Sequence, residues 1–531
     1  MKQTVKHIHF MAAAVLVAVF AAGCTKDFDK INTDPTKINF GNIKASNMFE
    51  PIFFQTGARN QYYSWIWSNE LVQVTAFTGG STRQEHLYLV TDGNAQSAWD
   101  DYARRAADAH HMINLAIAQG DEFYHAVGLV MKCWQMAELV SIFGDIPYSE
   151  AFRYSEQRYP AFEPQEQVFG NVIRDLDSAN VIFSRKPTSG YSSLDQMYNA
   201  DTDKWRRFAN SLKLRYLCRM SGTDDRYWDE IQAILDDAER FPVFRGNSDN
   251  AAVPFKGTDP YKSYWGEAET TKGVFQQHRL TQQLIKMTAE LDSQGNAMYV
   301  DPRLVIWGVQ TGGKWKGTVS GGNQVNRPSD DNGTSKPNFD ILGAADLPGF
   351  LMEYSEILFI QAEGLLKGKL ALPGKTVKGL YEEALSANME KWAPYAAKLS
   401  KPFTVSKAEV GKYLSSALGS YDLAGTDGSL YDGKEEFLMS QKWLSLFWVG
   451  WETWHEWRRT EYPLLTIGEG TVYNDHELPT RFIYPSYTMS SNNANAVAAL
   501  SRMGGANDMH LALDWSWKKL SGGHRRPYGA D

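Results

Sequence analysis

Apolar residues recur every three or four positions along most of this chain, which is the period of an α-helix. In residues 351–366 the stripe is formed by Leu351, Tyr354, Leu358, Ala362 and Leu365. The same pattern predicts further helices over residues 99–118, 123–143, 167–183, 204–220, 227–239, 273–291, 377–397 and 435–457. We therefore expect a mainly α fold whose core is built from these apolar faces.

Many of the predicted helices follow one another in pairs with short connections. Small residues such as Ala126, Ala137, Ala362 and Ala384 would let neighbouring helices approach closely. Antiparallel helix pairs of about 34 residues define the tetratricopeptide repeat, and stacked pairs build a solenoid. The signature of that repeat is degenerate in this chain, so the sequence supports helical pairs more firmly than the named repeat.

Between the predicted helices lie long segments rich in Gly, Ser, Thr, Asn and aromatic residues. They span residues 75–97, 241–270, 292–349, 417–433 and 461–505. Loops longer than about 15 residues are uncommon inside a compact chain and are often functional. We predict that they form one irregular, loop-rich lobe with short strands, laid over the helical scaffold within a single domain of residues 43–531.

The N-terminus has the pattern of a bacterial lipoprotein signal. Basic Lys2 and Lys6 precede an apolar run over residues 10–22, which at about 13 residues is too short to span a bilayer. Small residues then lead to Cys24, although Ala21 stands where a lipobox more often has Leu. We predict a cleaved signal peptide (1–23), a lipid such as palmitate on Cys24 and a tether (24–42); a plain secretory signal with an incidental cysteine is the alternative.

Charge and cysteine usage narrow the possible partners. The formal net charge of −8 becomes −10 if Lys2 and Lys6 leave with the signal, which disfavours nucleic acid and anionic lipid headgroups. Cys133 and Cys218 lie in apolar, helix-periodic segments and are predicted to be buried free thiols, with a bridge between them as the alternative. We expect neutral or mildly polar ligands.

Five blocks of sequence carry a resemblance to a known family. They are CTKDFDKINTDPTK (24–37), VSIFGDIPYSEA (140–151), YPAFEPQEQVF (159–169), EYSEILFIQAE (353–363) and LPTRFIYP (478–485). Their order across nearly the whole chain resembles the SusD-like (SusD/RagB) family of nutrient-binding outer-membrane lipoproteins.

This resemblance implies a non-catalytic receptor, held by a lipid anchor on the outer face of the cell outer membrane. Such a receptor binds a nutrient, here expected to be an oligosaccharide, and passes it to a TonB-dependent, SusC-like transporter as part of polysaccharide utilisation. A peptide ligand, as in RagB relatives, stays open. No cofactor and no metal is predicted. The competing classes are a surface glycoside hydrolase and a tetratricopeptide adaptor that binds only protein.

Aromatic residues make up 13% of the chain, including 17 Trp, and flat rings can stack on the apolar faces of sugars. Trp265 and Trp315 lie in Gly- and Ser-rich loops, where we predict ligand contact. The predicted set is completed by Tyr261, Tyr264, Trp67 and Arg83. The planar guanidinium group of Arg83 could bind a pair of hydroxyls or a carboxylate. An equally weighted alternative is that the loop rings only fasten the loops to the scaffold.

Several other patterns are predicted to be structural. His455 and Glu456 begin like a zinc-protease helix, but Arg459 stands where the second His ligand belongs. Glu353, Glu356 and Glu363 are expected to face solvent or neighbouring Lys and Arg rather than to form a catalytic pair. The Trp series 443, 448, 451, 454 and 457 recurs mostly every third residue and is predicted to be core.

Overall fold

Helices dominate the computed structural model, which describes residues 43–78, 87–266, 273, 276–322, 333–468, 470–471 and 476–522. The longer helices are α1 (Ala45–Tyr63), α3 (Asp92–Gln119), α4 (Glu122–Phe143), α5 (Gln165–Ser184), α6 (Thr202–Met220), α7 (Arg226–Asp236), α11 (Tyr354–Leu366), α12 (Val377–Ala396), α13 (Lys407–Ser415), α14 (Lys434–Ser445), α15 (Glu452–Thr460) and α17 (Asn493–Met503). Shorter ones are α2 (Asn69–Leu71), α8 (Gln282–Thr288), α9 (Pro302–Trp307), α10 (Phe339–Leu342), α16 (Ser486–Ser491) and α18 (Trp517–Leu520). The mainly α prediction is confirmed.

Consecutive helices α3 to α6 pack on one another in sequence order, as the predicted helical pairs require. Only Gly120 and Asp121 separate α3 from α4. Gly120 ends α3 in the left-handed conformation (φ 68°), while the Asp121 side chain accepts the main-chain N–H of Tyr124 and caps α4. A Cβ at Gly128 would lie 2.7 Å from Ile113 Cγ1, so the glycine permits this close helix contact.

Helix α4 is long and apolar enough to cross a membrane by length and composition, and it is the one such helix among the described residues. In its most apolar window, 94% of the residues are buried inside the protein. Its neighbours α3 and α5 pack against it, so α4 is a central core helix of the scaffold.

Short antiparallel strand pairs lie among the helices. The strands are β1 (Thr75–Phe77), β2 (Ala251–Val253), β3 (His278–Leu280), β4 (Ala289–Leu291), β5 (Ala297–Val300), β6 (Gly308–Val309), β7 (Lys336–Pro337) and β8 (Gly349–Met352). β1 pairs with β3, β2 with β8, β4 with β5 and β6 with β7. Most of these strands come from the predicted loop-rich segments, so the expectation of short strands there is confirmed.

Several predicted boundaries are wrong. Helix α3 begins at Asp92, inside the predicted loop 75–97, and not at Trp99. Residues 273–291 are not one helix, because β3 precedes α8 and β4 follows it; Thr281 starts α8 by accepting the Leu284 N–H at 3.1 Å. Residues 435–457 divide into α14 and α15, since Trp448 (φ 70°) and Gly450 (φ 60°) turn the backbone to the left-handed region. The predicted loop 461–505 contains α16 and α17, and Leu351 lies in β8 rather than in a helix.

The predicted core residues are confirmed where the pattern was strongest. All five tryptophans of the 443–457 series are buried. Cys133 and Cys218 are buried free thiols, and burial raises the pKa of the Cys218 thiol to about 11. The Trp series therefore serves packing, and the thiols are unreactive in the folded protein.

Glu353, Glu356 and Glu363 are buried, so the expectation that they face solvent is wrong, whereas the alternative of Lys and Arg partners is confirmed. Glu353 pairs with Lys391, Glu356 with Arg215 and Glu363 with Arg459. Glu356 and Glu363 belong to a buried ion network formed by Glu138, Arg215, Arg219, Glu356, Glu363, Lys442, Glu452, His455, Glu456, Arg458 and Arg459. This network joins α4, α6, α11, α14 and α15.

Candidate functional site

An open cleft of about 650 Å³ lies where α8, the β4–β5 turn and residues 311–317 come together. We call it the Trp315 cleft. Its described lining residues are Gln282, Ile285, Lys286, Ala289, Leu291, Gln294, Gly295, Thr311, Lys314, Trp315, Lys316, Gly317 and Gly333. Its volume is within the range of about 300–1,000 Å³ typical of ligand sites.

A tight turn places Trp315 in the wall of this cleft. Thr311 and Lys314 exchange main-chain hydrogen bonds of 3.1 and 3.2 Å across Gly312 (φ 59°) and Gly313 (φ 75°). Two central residues with positive φ form the hairpin turn that matches strand twist, and Gly-Gly adopts it without steric strain. The turn reverses the chain directly before Trp315, whose ring edge faces Gly308; a Cβ there would lie 3.1 Å from Trp315 Cζ3.

The floor of the cleft is fixed by main-chain contacts on both sides of α8. Thr318 donates to Leu280 O and Gln282 donates to Thr318 O, both at 2.8 Å. Gly317 is needed at this crossing, because a Cβ there would lie 2.3 Å from the backbone of Thr281 and Gln282. The side chains at the start of α8 are therefore held in a fixed relation to Trp315.

The β4–β5 turn closes the other side of the cleft. Asp292 accepts the main-chain N–H of Gln294 at 2.9 Å and that of Asn296 at 2.8 Å. Hydrogen bonds from the side chain and main chain of Asn296 lower the pKa of Asp292. Lys314 Nζ donates to Gln294 O at 2.7 Å and so connects the two turn tips at the mouth.

The lining combines an apolar floor with polar, exposed edges. Trp315 and Ile285 are buried, while Gln282, Lys286 and Gln294 are exposed. Lys314 and Lys316 add two further exposed ammonium groups. An aromatic ring beside amide and ammonium donors can hold a ligand that presents both an apolar face and hydroxyl or carbonyl oxygens.

The structure separates the predicted ligand-binding residues. Trp315 and Trp265 are equally buried, but Trp315 lies in the cleft wall, whereas Trp265 Nε1 donates to Gln61 O at 3.1 Å. The contact with α1 favours the alternative, that Trp265 fastens its loop to the scaffold. Trp67 is 2% exposed and packs on Phe482, because the π-helical turn Ser64–Ser68 buries both of its tryptophans.

Tyr264 and Tyr261 lie on a second aromatic patch beside α1. The ring centroids of Tyr264 and half-buried Tyr62 are 4.9 Å apart, and the Arg59 guanidinium lies over both rings. Tyr261 donates to Glu50 Oε1 at 2.7 Å, and this hydrogen bond to a carboxylate raises the pKa of Tyr261. Arg83 and Cys24 lie outside the described residues, and ligand contact at any of the predicted positions stays a prediction.

Sequence reasoning missed the polar wall of the cleft, notably Gln282, Lys286 and Gln294. The periodic pattern of residues 273–291 assigned Gln282 and Lys286 to the exposed face of one long helix, and Gln294 fell in the predicted loop segment 292–349 without being singled out. The Gly312–Gly313 pair was the available signal, since two glycines between alternating residues are a hairpin signature.

Glu138, Glu452 and His455 could in principle offer three metal ligands, since their ligand atoms lie within 4.8 Å of one another. Arginines already occupy this space: Arg219 donates to Glu452 Oε2 at 2.5 Å, and Arg458 donates to His455 Nδ1. Burial and the nearby Arg219 and Arg458 hold the pKa of His455 well below its usual range. The positive charge that such carboxylates need is supplied by guanidinium groups, so the cluster belongs to the scaffold.

Comparison with known proteins identifies the family. The family model of SusD-like proteins, described as "Starch-binding associating with outer membrane", matches residues 37–485. The chain therefore belongs to the SusD-like family, which confirms the resemblance. Members of this family are described by an association with the outer membrane and by binding rather than by a reaction. No curated protein sequence matches the chain.

Solved structures share the fold. A chitin-binding protein is 22% identical with a TM-score of 0.72 and covers 89% of this chain and 100% of its own. A SusD homologue from Bacteroides fragilis has 20% identity, a TM-score of 0.72 and coverage of 89% and 99%. A chitin-binding SusD homologue from Flavobacterium johnsoniae has 20% identity, a TM-score of 0.70 and coverage of 89% and 98%. At these identities the similarity is one of fold.

Proposed function

We propose that this chain is an outer-membrane receptor that binds an oligosaccharide in the Trp315 cleft and passes it to a TonB-dependent, SusC-like transporter. The observation that carries the proposal is the cleft itself, where an indole ring lies in the wall between exposed amide and ammonium groups. The family description and the chitin-binding relatives support a glycan as the ligand.

Capture without cleavage is supported by the residues of the cleft. Glycoside hydrolysis canonically requires two carboxyl groups about 5–9.5 Å apart on either side of the scissile bond. Among the described lining residues of the Trp315 cleft there is neither Asp nor Glu. Stacking and hydrogen bonding need no such pair, and they release the ligand unchanged to the next protein.

The attachment to the membrane forms part of the proposal. Residues 1–23 would be removed, Cys24 would carry the lipid, and residues 24–42 would tether a single domain formed by residues 43–531. A lipid anchor would place the receptor at the mouth of its transporter on the outside of the cell. The sequence pattern around Cys24 and the outer-membrane association of the family support this arrangement.

The test begins with a glycan and peptide array probed with residues 25–531. A ligand from the array is then titrated by calorimetry into the unmodified protein, Trp315→Leu and Trp515→Leu. Trp515 is also buried but is not among the described lining residues of the cleft, so Trp515→Leu removes a buried indole outside the proposed site. We expect an affinity loss of at least about tenfold, equivalent to about 1.4 kcal/mol, for Trp315→Leu alone.

Cellular uptake tests the anchor separately. Cys24→Ala protein should bind the same glycan in solution with unchanged affinity, yet cells carrying it should fail to take the glycan up. Equal affinities of the two Trp variants would reject the cleft as the ligand site. Selective binding of peptides on the array would show that the ligand is a peptide and not a glycan. The appearance of new reducing ends after incubation with a glycan would favour a hydrolase.

A further inference from the structure

A second cleft lies on the neighbouring face of α8. It has a volume of about 340 Å³, and its lining includes Gln283, Lys286, Tyr431, Asp432, Glu436 and Ser440. A neighbouring cavity of about 450 Å³ shares Asp432, Glu436 and Leu464 with it. We call this the Ser440 cleft. Its volume is sufficient for a small ligand group.

Helical geometry connects the two clefts. The Trp315 cleft is lined by Gln282, Ile285, Lys286 and Ala289, whose spacing of three and four residues defines one face of α8. The Ser440 cleft is lined by Gln283, Lys286 and Met287, which define the adjacent face. Lys286 belongs to both sets and is exposed, so it forms a ridge between two adjoining clefts.

Ser440 gives the second cleft an unusual floor. Its side chain is fully buried, and its Oγ has no hydrogen-bond partner among the described residues. A buried hydroxyl without a partner costs about 1–3 kcal/mol, so such groups are rare unless a water or a ligand supplies the missing bond. The packing of α14 does not use this hydroxyl, which points to a partner that enters from the cleft.

The rim of the Ser440 cleft carries charges of both signs, with Asp432 and Glu436 beside Lys286. Asp432 is exposed, and no described residue forms an ion pair with its carboxylate. Its main-chain N–H donates to Glu436 Oε2 at 2.7 Å, which fixes the turn before α14. Carboxylates accept hydrogen bonds from hydroxyl groups and repel carboxylate or sulfate groups. The fitting ligand group is therefore uncharged and rich in hydroxyls.

We infer that the Ser440 cleft is a second glycan-binding subsite, which takes an uncharged sugar unit of the same oligosaccharide whose other end occupies the Trp315 cleft. The inference rests on the proposed function. Lys286 lies at the point where one chain would pass from the first cleft to the second. The receptor thereby selects oligosaccharides long enough to reach both clefts over those that fill only one.

The experiment measures affinity against ligand length. Malto-oligosaccharides and chito-oligosaccharides of two to eight units are titrated by calorimetry into the full chain from residue 25 onward. The unmodified protein should bind the long members at least about fivefold more tightly than the shortest that fills the Trp315 cleft. Asp432→Asn and Ser440→Ala should remove most of this gain and leave the affinity for the shortest ligand unchanged.

Two controls separate binding from folding. Asp427→Asn alters an exposed carboxylate of the same loop that lines neither cleft, and it should retain the full length dependence. Ser440→Ala removes an unpartnered hydroxyl, so its thermal midpoint should be equal to or higher than that of the unmodified protein. A binding loss without a stability loss identifies a ligand contact.

The outcomes distinguish failure of the second subsite from failure of the proposed function. Affinity that is independent of length, or length dependence that survives both variants, overturns the second subsite and leaves the proposed function intact. A stability loss in Ser440→Ala that matches its binding loss assigns the hydroxyl to folding and overturns its role in binding. Absence of binding by both series at every length, together with a glycan array that yields no ligand, contradicts the proposed function, and the second subsite with it.

Discussion

The buried ion network and the Trp315 cleft use the same kinds of residue in opposite ways. In the network every carboxylate is desolvated and faces a guanidinium, an ammonium or an imidazole, as where Arg459 donates to Glu363 at 2.6 and 2.7 Å. In the cleft three lysines remain exposed beside amides and glycine turns. The comparison shows that burial forces a charged residue to find an opposite charge, whereas an exposed one can keep its contact with water.

Electrostatics within the network also differ from site to site. Burial alone would raise the pKa of Glu363, but Arg459, Lys367 and Lys442 outweigh it and hold that pKa well below its usual range. Burial and the nearby Glu452 raise the pKa of Glu138 to about 8, which the arginines nearby only partly oppose. The surroundings therefore favour the charged form of Glu363 and the neutral form of Glu138.

The largest expected effect comes from breaking the network. Arg459→Met would leave Glu363 and Glu456 buried without their bidentate partner, since Arg459 donates to both. Loss of one member of a buried pair costs about 3–5 kcal/mol. Urea unfolding should show this decrease in the free energy of unfolding, while the folded fraction should bind ligand with unchanged affinity.

The matched control is Arg185→Met, which breaks an exposed pair with Glu122 at 2.6 Å. Exposed pairs contribute at most about 1 kcal/mol, so this variant should be nearly as stable as the unmodified protein. Equal losses of unfolding free energy in the two variants would contradict the structural role of the buried network. A ligand-binding defect in folded Arg459→Met would contradict the separation of the network from the binding cleft.

An effect of intermediate size is expected from pH. The pKa of Glu138 is about 8 in the folded state and about 4.5 when exposed, so between these values the native state holds a proton that the unfolded state has lost. Stability should therefore fall as pH rises through this window, by at most about 1.4 kcal/mol per pH unit. Glu138→Gln should flatten this decline in urea unfolding at pH 5.5, 6.5 and 7.5.

A surface variant sharpens this measurement. Glu230 is exposed, and Glu230→Gln should retain the same decline in stability as the unmodified protein. If Glu138→Gln keeps the full decline, the proton resides elsewhere in the network and the assignment to Glu138 is wrong.

The smallest effect is expected at the hairpin tip of the cleft. Gly313→Ala places a side chain at φ 75°, which should lower the free energy of unfolding by about 1 kcal/mol and weaken ligand binding slightly through Trp315. Gly170→Ala, in the exposed face of α5 where a Cβ meets no other atom, should instead raise stability by about 0.5–1 kcal/mol. Thermal unfolding of both variants checks that their stability changes have opposite signs. A stabilised Gly313→Ala would contradict the assignment of Gly313 to a turn with positive φ.

The sequence predicted α4 to α6 and α12 nearly to their ends, because their apolar periodicity is long and uninterrupted. The prediction for α3 began seven residues too late. It failed over residues 273–291, where β3 pairs with β1, a segment about 200 residues earlier, and β4 pairs with β5, so that only the residues of α8 between them are helical. Of the predicted site residues, Trp315 lies in a cleft, whereas Trp265 and Trp67 are packed into the scaffold. Neighbouring glycines indicate that a tryptophan lies in a loop, but they do not indicate whether its ring points into a cleft or into the core.

Local pattern alone determined the helical class, the buried Trp series and the family blocks, since each depends on residues close together in the sequence. Tertiary structure decided which charges are desolvated and which surfaces form a cleft. Glu363 meets Arg459 across 96 positions, and Lys286 lines a cleft with Trp315 and another with Ser440. Periodicity reports which face of a helix is buried, but the residue that covers that face is chosen by chain segments far away in the sequence.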